Sequence, residues 1–371
     1  MEGGGEMRFS TSELISLKQR SYLHGVGLFM LDGTGYALAI AGTIAAPHLR
    51  QRILCSIIAG FWISGLVTIA HDACHQSLTP SRRLNRFLGT LAFLPAWHAY
   101  SLWQYGHNHL HHLFTNLRGR DYVWEPLSLA EFRILPWWSR VRYRFFRTFV
   151  GHFFYYSCEI WWKRRFFPRR QYLGRMDRWF WIDFLIVVGW LVMLSAIVVN
   201  LRARVTMATI QTPVEWISPI LLAVILPFVV STMLSSTSEF LHHTHPRIHW
   251  FTQPASGDWT NRQVQTTVHC QFPAPIDRLM HWIMDHTAHH IQPTIPSYHL
   301  LEAQRIVESQ RSDEVVTYRW TLPAMLTILR ACKLYDCDAG CWTDYKGTPT
   351  SASRFAAAAD AGSGDFLAKA G

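Results

Sequence analysis

Three short clusters of histidines are the part of this sequence that indicates chemistry. The motif HDACHQ places His71 and His75 four residues apart, and HNHLHH places His107 and His111 at the same spacing. Side chains four residues apart lie on one face of an α-helix, so each pair can direct two imidazole rings at one point. A single pair of this kind is usually structural, and the prediction of a site depends on the clusters occurring together.

Two of the clusters also contain adjacent histidines, which point in different directions. His112 follows His111 and lies about 100° around a helix, so this doublet can contact two metal ions. The motif HTAHH at residues 286–290 repeats the arrangement, whereas His109 faces away from the others and is expected in solvent or behind the ligands. Imidazole is a good ligand for iron, zinc, copper and nickel, so the clusters predict a metal site. The spacing selects eight histidines: His71, His75, His107, His111, His112, His286, His289 and His290.

Carboxylates close to the clusters have two interpretations. Metal-bound histidine usually donates its second ring N–H to a carboxylate or a carbonyl, which fixes its tautomer and direction. We expect Asp72 and Asp285 in this role, and the alternative is that they only solvate helix ends. Asp121 and Glu239 also lie near the clusters. The histidines that fit no cluster are expected to be structural: His98, His152, His249, His269, His281 and His299.

Four apolar segments must position these clusters. Each approaches the ~20 apolar residues that cross a hydrocarbon core of ~30 Å, and a helical bundle follows because lipid offers no partner to unpaired backbone groups. The chain is 49% hydrophobic and only 16% charged, against ~25% charged residues in soluble domains. The spans are predicted at about residues 22–46, 53–70, 179–199 and 217–234.

The placement of Lys and Arg predicts the orientation of these spans. The two short links, residues 47–52 and 200–216, contain four of the 35 basic residues, and the other 31 lie in both terminal regions and in residues 71–178. Basic residues near span ends favour the cytoplasmic side, so we expect both termini and the histidine clusters in the cytoplasm. This bias and anionic headgroups explain the net charge of +10, and nucleic acid is not an expected partner.

The regions between the spans are expected to build a cytosolic cap. The segment Phe87–Trp103 predicts a re-entrant or interface helix, and Phe149–Trp162 is aromatic enough to lie in the headgroup layer. The helix that carries HTAHH is expected to start near PAPIDRL and to end before Pro293. The predicted boundaries are a cytosolic segment 1–21 with a helix at about 10–20, a membrane domain 22–346 and a disordered tail 347–371.

The motifs HxxxH, HxxxHH and HxxHH resemble the histidine boxes of the membrane fatty acid desaturase family. WQYGHNHLHHLFTN (103–116) is similar to the second box of its omega-6 and omega-3 acyl-lipid branch, and SEFLHHTHP (238–246) and DHTAHHIQPTIPSYHLLEAQ (285–304) are similar to later stretches. The likeness covers roughly residues 55–305. The resemblance implies an all-α integral membrane protein, with four transmembrane helices in two hairpins and a cytosolic helical cap that carries a histidine-ligated di-iron site.

Carried over residue by residue, the resemblance makes the eight histidines iron ligands and adds one from between the second and third boxes. His243 aligns with the first histidine of the family's QHTHP pattern and is the expected ligand, with His245 as the alternative or as a residue behind the ligands. Asn116, which follows the second box, is also expected behind the ligands. Cys74 departs from the pattern, because glycine commonly precedes the second histidine of the first box.

The same resemblance implies the reaction. A centre of two iron ions uses O2, and a fatty acid desaturase forms a C=C bond in a fatty acyl chain. The sequence has no HPGG motif and no flavin, nicotinamide or iron–sulfur fingerprint, so electrons are expected from an external ferredoxin or a cytochrome b5 with its reductase. Arginines in residues 140–178 fit either such an acidic carrier or the membrane surface. Hydroxylases, acetylenases and decarboxylases that form terminal 1-alkenes share the boxes and remain alternatives, and a non-enzymatic metal-binding membrane protein is a third class.

Overall fold

The computed structural model describes residues 11–207, 212–254 and 259–355, and this part of the chain is mostly helical. Its α-helices are α1 (Thr11–Ser16), α2 (Tyr22–Ala45), α3 (Leu49–Cys74), α4 (Arg82–Phe93), α5 (Tyr100–Tyr105), α6 (Leu129–Ile134), α7 (Trp137–Phe146), α8 (Gly151–Tyr155), α9 (Arg170–Leu173), α10 (Arg178–Thr206), α11 (Pro213–Ile220), α12 (Leu226–His243), α13 (Trp259–Thr266), α14 (Ala274–Leu279), α15 (His286–Ile291), α16 (Leu300–Gln310) and α17 (Leu322–Ala331). Three π-helical segments, Gly106–His111, Tyr156–Phe166 and Leu221–Ile225, and 3₁₀ turns at Leu94–Ala96, His112–Phe114 and Ser297–His299 lie between them.

Four helices are long and apolar enough to cross a membrane: α2, α3, α10 and the continuous helix Pro213–His243, which contains α11 and α12. They correspond to the four predicted spans. The last three extend beyond the predicted apolar segments, because helical hydrogen bonding continues into the polar residues that follow. As a result, α3 carries His71 in its last turn and α12 ends at His243.

Small residues allow α3 to pack closely between two other long helices. A Cβ atom at Gly35 of α2 would lie 2.3 Å from the ring of Trp62 on α3. On another face of α3, a Cβ atom at Gly60 would lie 2.5 Å from the Cβ atom of Val230 on α12. Because α3 is fixed on both sides, its histidine-bearing end has a defined position.

The segment Phe87–Trp103 forms several elements and not the single helix that the sequence predicts. The chain leaves α4, makes a 3₁₀ turn in which Trp97 has a φ of 55°, and starts α5 at Tyr100. The Tyr100 hydroxyl donates to the carbonyl oxygen of Ala73 at 2.8 Å. This contact holds α5 against the end of α3, so the segment packs on the protein.

The prediction of one helix from PAPIDRL through HTAHH is wrong, because the chain breaks between α14 and α15. His281 and Trp282 both have positive φ values, 49° and 61°, which is a strained conformation for residues other than glycine. The break is held from the long helices. Asp32 of α2 contacts His281 Nε2 at 2.6 Å, and the hydroxyl of Thr68 on α3 donates to the carbonyl of Met280 at 3.1 Å.

Four short strands, which the sequence did not predict, accompany the mostly helical fold. β1 (Val268–Gln271) pairs in parallel with β2 (Val316–Arg319), and β3 (Leu334–Asp336) pairs antiparallel with β4 (Cys341–Thr343). Residues 347–355 of the predicted tail hydrogen-bond back to this hairpin, for example from Thr350 N to the carbonyl of Trp342 at 2.8 Å. Residues 356–371 lie outside the described part of the chain.

Candidate metal centre

Nine buried or nearly buried histidines form two adjacent groups beside the ends of α3 and α12. In each group, one ring nitrogen of every histidine lies within 4.8 Å of those of the others. The five-histidine group consists of His71, His75, His107, His112 and His289. The four-histidine group consists of His111, His243, His286 and His290. These are the nine residues that the sequence selected, and no other residue of the described chain joins either group.

The five-histidine group draws on α3, the π-helical segment and α15. His71 Nε2 lies 3.0 Å from His289 Nε2, which lies 3.1 Å from His112 Nε2. His112 Nε2 in turn lies 2.9 Å from His107 Nε2. His75 completes the group just past the end of α3, with its ring 4.8 Å from that of His112.

A π-helical turn decides how the second cluster divides between the groups. The expected α-helix would place His107 and His111 together, but the backbone N–H of His112 donates to the carbonyl of His107, five residues earlier. A π-helix brings residues i and i+5 onto one face. His107 and His112 therefore share a group, and His111 points into the other, so the doublet contacts both groups as the spacing predicts.

The four-histidine group joins the π-helical segment to α12 and α15. His243 Nε2 lies 3.1 Å from His111 Nε2 and 3.0 Å from His286 Nε2. His290 lies one helical turn after His286, with ring centroids 4.5 Å apart. The placement of His243 follows from α12 continuing as a helix out of its apolar part.

Hydrogen bonds to the outer ring nitrogens fix the direction of four of these rings. His71 Nδ1 lies 3.3 Å from a carboxylate oxygen of Asp72. His111 Nδ1 lies 3.1 Å from both oxygens of Asp121, a carboxylate whose role its position in the sequence did not predict. Two further partners were missed: the carbonyl of Thr266 for His243 Nδ1 at 3.0 Å, and Gln263 Oε1 for His290 Nδ1 at 2.8 Å. Each partner accepts the Nδ1 proton and leaves Nε2 as a lone pair directed into its group.

The charge state of the rings suits a metal ion. Burial, followed by the neighbouring imidazoles, holds the pKa of His107, His112 and His289 well below its ordinary value, so these rings are neutral at neutral pH. The buried Nε2 atoms of His75 and His290 have no hydrogen-bond partner in the described chain. Facing lone pairs repel without a cation between them. Two sets of neutral imidazoles therefore fit two metal ions, and imidazole is a suitable ligand for iron.

Two of the three other residues expected behind the ligands have side chains that contact residues outside both groups. The carboxylate of Asp285 contacts His269 Nε2 at 2.9 Å and not the ring of a histidine of the two groups. His245 accepts a hydrogen bond from the backbone of Arg247 and stacks on Tyr318, outside both groups. Asn116 does lie behind the four-histidine group, where its side-chain amide donates to the carbonyls of His243 at 3.5 Å and of His249 at 3.0 Å.

A partly buried ion cluster supports the helix that carries the third histidine cluster. His269 on β1 lies between Asp285, which directly precedes α15, and Glu308 on α16, at 2.9 and 2.5 Å. Burial alone would lower the pKa of His269, but the hydrogen bonds and charges of both carboxylates raise it to about 9. Burial raises and the hydrogen bond from His269 lowers the pKa of Glu308, with a net fall to about 2. The cluster therefore ties α15 to β1 and α16 at neutral pH.

Comparison with known proteins supplies the family. A family model described as fatty acid desaturase matches residues 48–322, a range that includes all nine histidines. The protein belongs to the fatty acid desaturase family. Homologues in this family are oxidoreductases that act on fatty acyl substrates with O2, so the chain is an enzyme of that class.

The similar proteins confirm the acyl-lipid branch that the histidine boxes indicate. The sn-1 oleoyl-lipid 12-desaturase of Synechocystis sp. is 31% identical over 315 residues, which is 82% of this chain and 83% of the relative. The enzyme of the same description from Anabaena variabilis is 27% identical over 335 residues, 87% of this chain and 86% of the relative. The chloroplastic omega-6 fatty acid desaturase of Glycine max is 27% identical over 314 residues, 83% of this chain and 68% of the relative.

Proposed function

We propose that this desaturase-family protein is an O2-dependent di-iron enzyme that introduces a C=C bond into a fatty acyl chain. The observation that carries the proposal is the pair of adjacent all-imidazole groups, which take histidines from the ends of two of the four long apolar helices. The relatives named for oleoyl-lipid support an acyl chain of a membrane lipid as the substrate. Desaturation is the reaction favoured over hydroxylation, acetylenic bond formation and decarboxylation.

We assign the five-histidine group to one iron and the four-histidine group to the other. When bound, the two irons supply the O2 chemistry that removes hydrogen from an unactivated C–H bond. The chain holds the rings: Asp72 and Asp121 orient His71 and His111, and Gln263 orients His290. Such partners of metal-bound histidines contribute to metal affinity.

The overall reaction requires an electron source outside the histidine groups. One O2, two electrons, two protons and two hydrogens from adjacent carbons give one C=C bond and two waters. We propose a ferredoxin, or a cytochrome b5 with its reductase, as the carrier of these electrons. This part of the proposal depends on the absence of flavin, haem and iron–sulfur motifs from the sequence.

We further propose that the four apolar helices span a bilayer in two hairpins, with both termini and the metal centre on the cytoplasmic side. The link between α2 and α3 is only residues 46–48 long, and Arg52 in the first turn of α3 donates to the carbonyl of Thr43 near the end of α2 at 3.1 Å. The basic residues concentrate on the opposite side of the spans, which favours the cytoplasm for that side. An acyl chain can then reach the histidine groups from the lipid between the helices.

Product analysis tests the reaction. Purified, iron-loaded protein is supplied with O2, a reduced ferredoxin system and either an oleoyl glycerolipid or, in a parallel reaction, free oleic acid, and the products are analysed by mass spectrometry after the lipid is hydrolysed. The expected product has one additional internal double bond. A hydroxylated chain or a terminal 1-alkene one carbon shorter would replace desaturation by one of the alternatives.

A pair of histidine variants links the product to the site. His71→Ala removes a member of the five-histidine group and should lose both product and bound iron. His109→Ala is the matched control, since His109 belongs to the same sequence cluster as His107 but is exposed and outside both groups. Full iron content and turnover in His71→Ala would contradict the assignment of the ligands.

A further inference from the structure

An exposed apolar stripe runs along α7 and includes the last residue of α6. Ile134, Trp137, Trp138, Val141 and Phe145 are 82, 71, 54, 56 and 41% exposed. The spacing of the last four places them on one side of α7, as in a helix that buries an apolar face, and Ile134 ends α6 just before it. Isolated exposed apolar residues are ordinary, but a contiguous row of large side chains indicates an interaction surface.

Arginines flank this stripe without acidic partners. Arg133, Arg140, Arg142 and Arg144 are all exposed. Residues 132–158 contain no Asp or Glu, and none of the four guanidinium groups forms an ion pair within the described chain. A partner of this surface must therefore present both apolar and anionic groups.

Hydrogen bonds fix the opposite side of α7 to the rest of the protein, so the apolar stripe faces away from it. Arg147, which is 1% exposed, donates to the carbonyls of Trp124 and Glu125 at 3.0 and 2.8 Å. The hydroxyl of Tyr143 donates to the carbonyl of Lys333 at 2.8 Å. These contacts leave α7 no freedom to rotate its apolar residues inward.

The stripe continues towards the fourth long helix. Phe149, Val150 and Phe154 are 43, 59 and 43% exposed and lie between α7 and α8 or within α8. The element α8 is attached to α12, since the hydroxyl of Ser236 donates to the carbonyl of His152 at 3.0 Å. The apolar surface of α7 is thus continuous with the outer surface of a helix proposed to face lipid.

We infer that α7 lies flat in the headgroup layer of the cytoplasmic leaflet and binds anionic lipids through its arginines. The inference rests on the proposed placement of the long helices in a bilayer. Amphipathic helices with arginine on the polar flanks and Trp or Phe on the apolar face bind in this way, and Trp favours the membrane interface. Continuity with α12 favours lipid over an acidic carrier protein, because lipid already surrounds the adjoining surface.

The element proposed at the membrane interface precedes the segment that the sequence predicts there. Phe149–Trp162 was expected in the headgroup layer, whereas α7 (Trp137–Phe146) carries the uninterrupted stripe and most of the unpaired charge. Each arginine near an anionic surface contributes about fivefold to its binding. The lipid composition of the leaflet therefore determines how firmly this side of the cap is attached.

Spin labelling of the full-length protein in nanodiscs tests the inference. A nitroxide is attached at Val141→Cys in a Cys158→Ser background, because Cys158 is the exposed cysteine of the described chain. Its access to O2, which concentrates in lipid, is compared with its access to a water-soluble nickel chelate. The discs contain neutral phosphatidylcholine alone or with about a third phosphatidylglycerol.

We expect the label at residue 141 to be protected from nickel and accessible to O2, with protection increasing severalfold in anionic discs. The triple variant R140Q/R142Q/R144Q should lose that increase. Labels at Val192→Cys on α10, which is 67% exposed, and at Ser309→Cys on α16 serve as lipid and water references.

Two results would overturn the inference. In one, residue 141 is as accessible to nickel as residue 309 in every lipid. In the other, it becomes protected only when a reduced acidic carrier protein is added, which would make the surface a protein-docking site. If residue 192 itself is open to nickel, the bilayer placement of the long helices fails independently of α7.

Discussion

Asp121 is the carboxylate whose replacement tests the metal centre most sharply without removing a ligand. The residue is 1% exposed, and its two oxygens lie 3.1 Å from His111 Nδ1. The same oxygens accept the backbone N–H groups of Asn116 and Val123, at 2.9 and 3.1 Å. In Asp121→Asn, the new NH2 group must face one of these N–H donors whichever way the amide is turned.

The size of the effect follows from these contacts. A lost partner of a metal-bound histidine lowers metal affinity by about 10–100-fold, which is about 1.4–2.7 kcal/mol. The unpaired donors in the turn cost about 1–3 kcal/mol more in folding. The loss should fall on the four-histidine group, since His111 belongs to it.

Chelator titration with iron measured by mass spectrometry provides the assay, beside a thermal melt of the iron-free protein. Asp336→Asn is the matched control, because that carboxylate also accepts two backbone N–H groups, from Asp338 and Ala339, but contacts no histidine of the centre. Iron retention in Asp121→Asn equal to that of the control would refute the orienting role of Asp121.

Three further predictions concern the surroundings of the centre. His243→Ala should lose about one iron per chain by elemental analysis, whereas His245→Ala should keep both, because only His243 lies in a group; equal loss would contradict this. The pKa of His269 in the folded protein is about 9, above its ordinary value of 6.5. The stability that the charged ring contributes is therefore fully present below pH 6.5 and is lost as the pH rises through 9. Melts at rising pH should therefore show an alkaline loss that His269→Gln lacks. Gly65→Ala would place a methyl group 2.5 Å from a carboxylate oxygen on α2 and should cost about 1–3 kcal/mol, measured as a lower melting temperature and lower iron content. Gly189→Ala, with nothing within 4 Å, should have neither effect.

The sequence predicted the parts of this protein that local patterns determine. Long, mostly apolar segments locate the long helices, and histidine spacing selects eight of the nine histidines in the two groups. The choice of His243 required the family resemblance, because His242 and His245 lie in the same short motif and spacing alone does not distinguish the three. The structure separates the three: only His243 lies in a group, while His242 contacts the sulfur of Met284.

Features that depend on distant contacts could not be predicted in this way. The π-helical turn that pairs His107 with His112 has no signature in the spacing of the cluster. Gln263 reaches His290 across 27 residues of sequence, and Asp32 holds the break before α15 across 249 residues. Asp285 was expected beside a ligand because it adjoins one in sequence, but its side chain turns to a residue on β1 instead.

Anomalous X-ray diffraction at the iron edge tests the central claim most directly. The account predicts two iron peaks per chain, one surrounded by His71, His75, His107, His112 and His289 and the other by His111, His243, His286 and His290. A single peak, or a peak whose ligands lie outside these two groups, would contradict it.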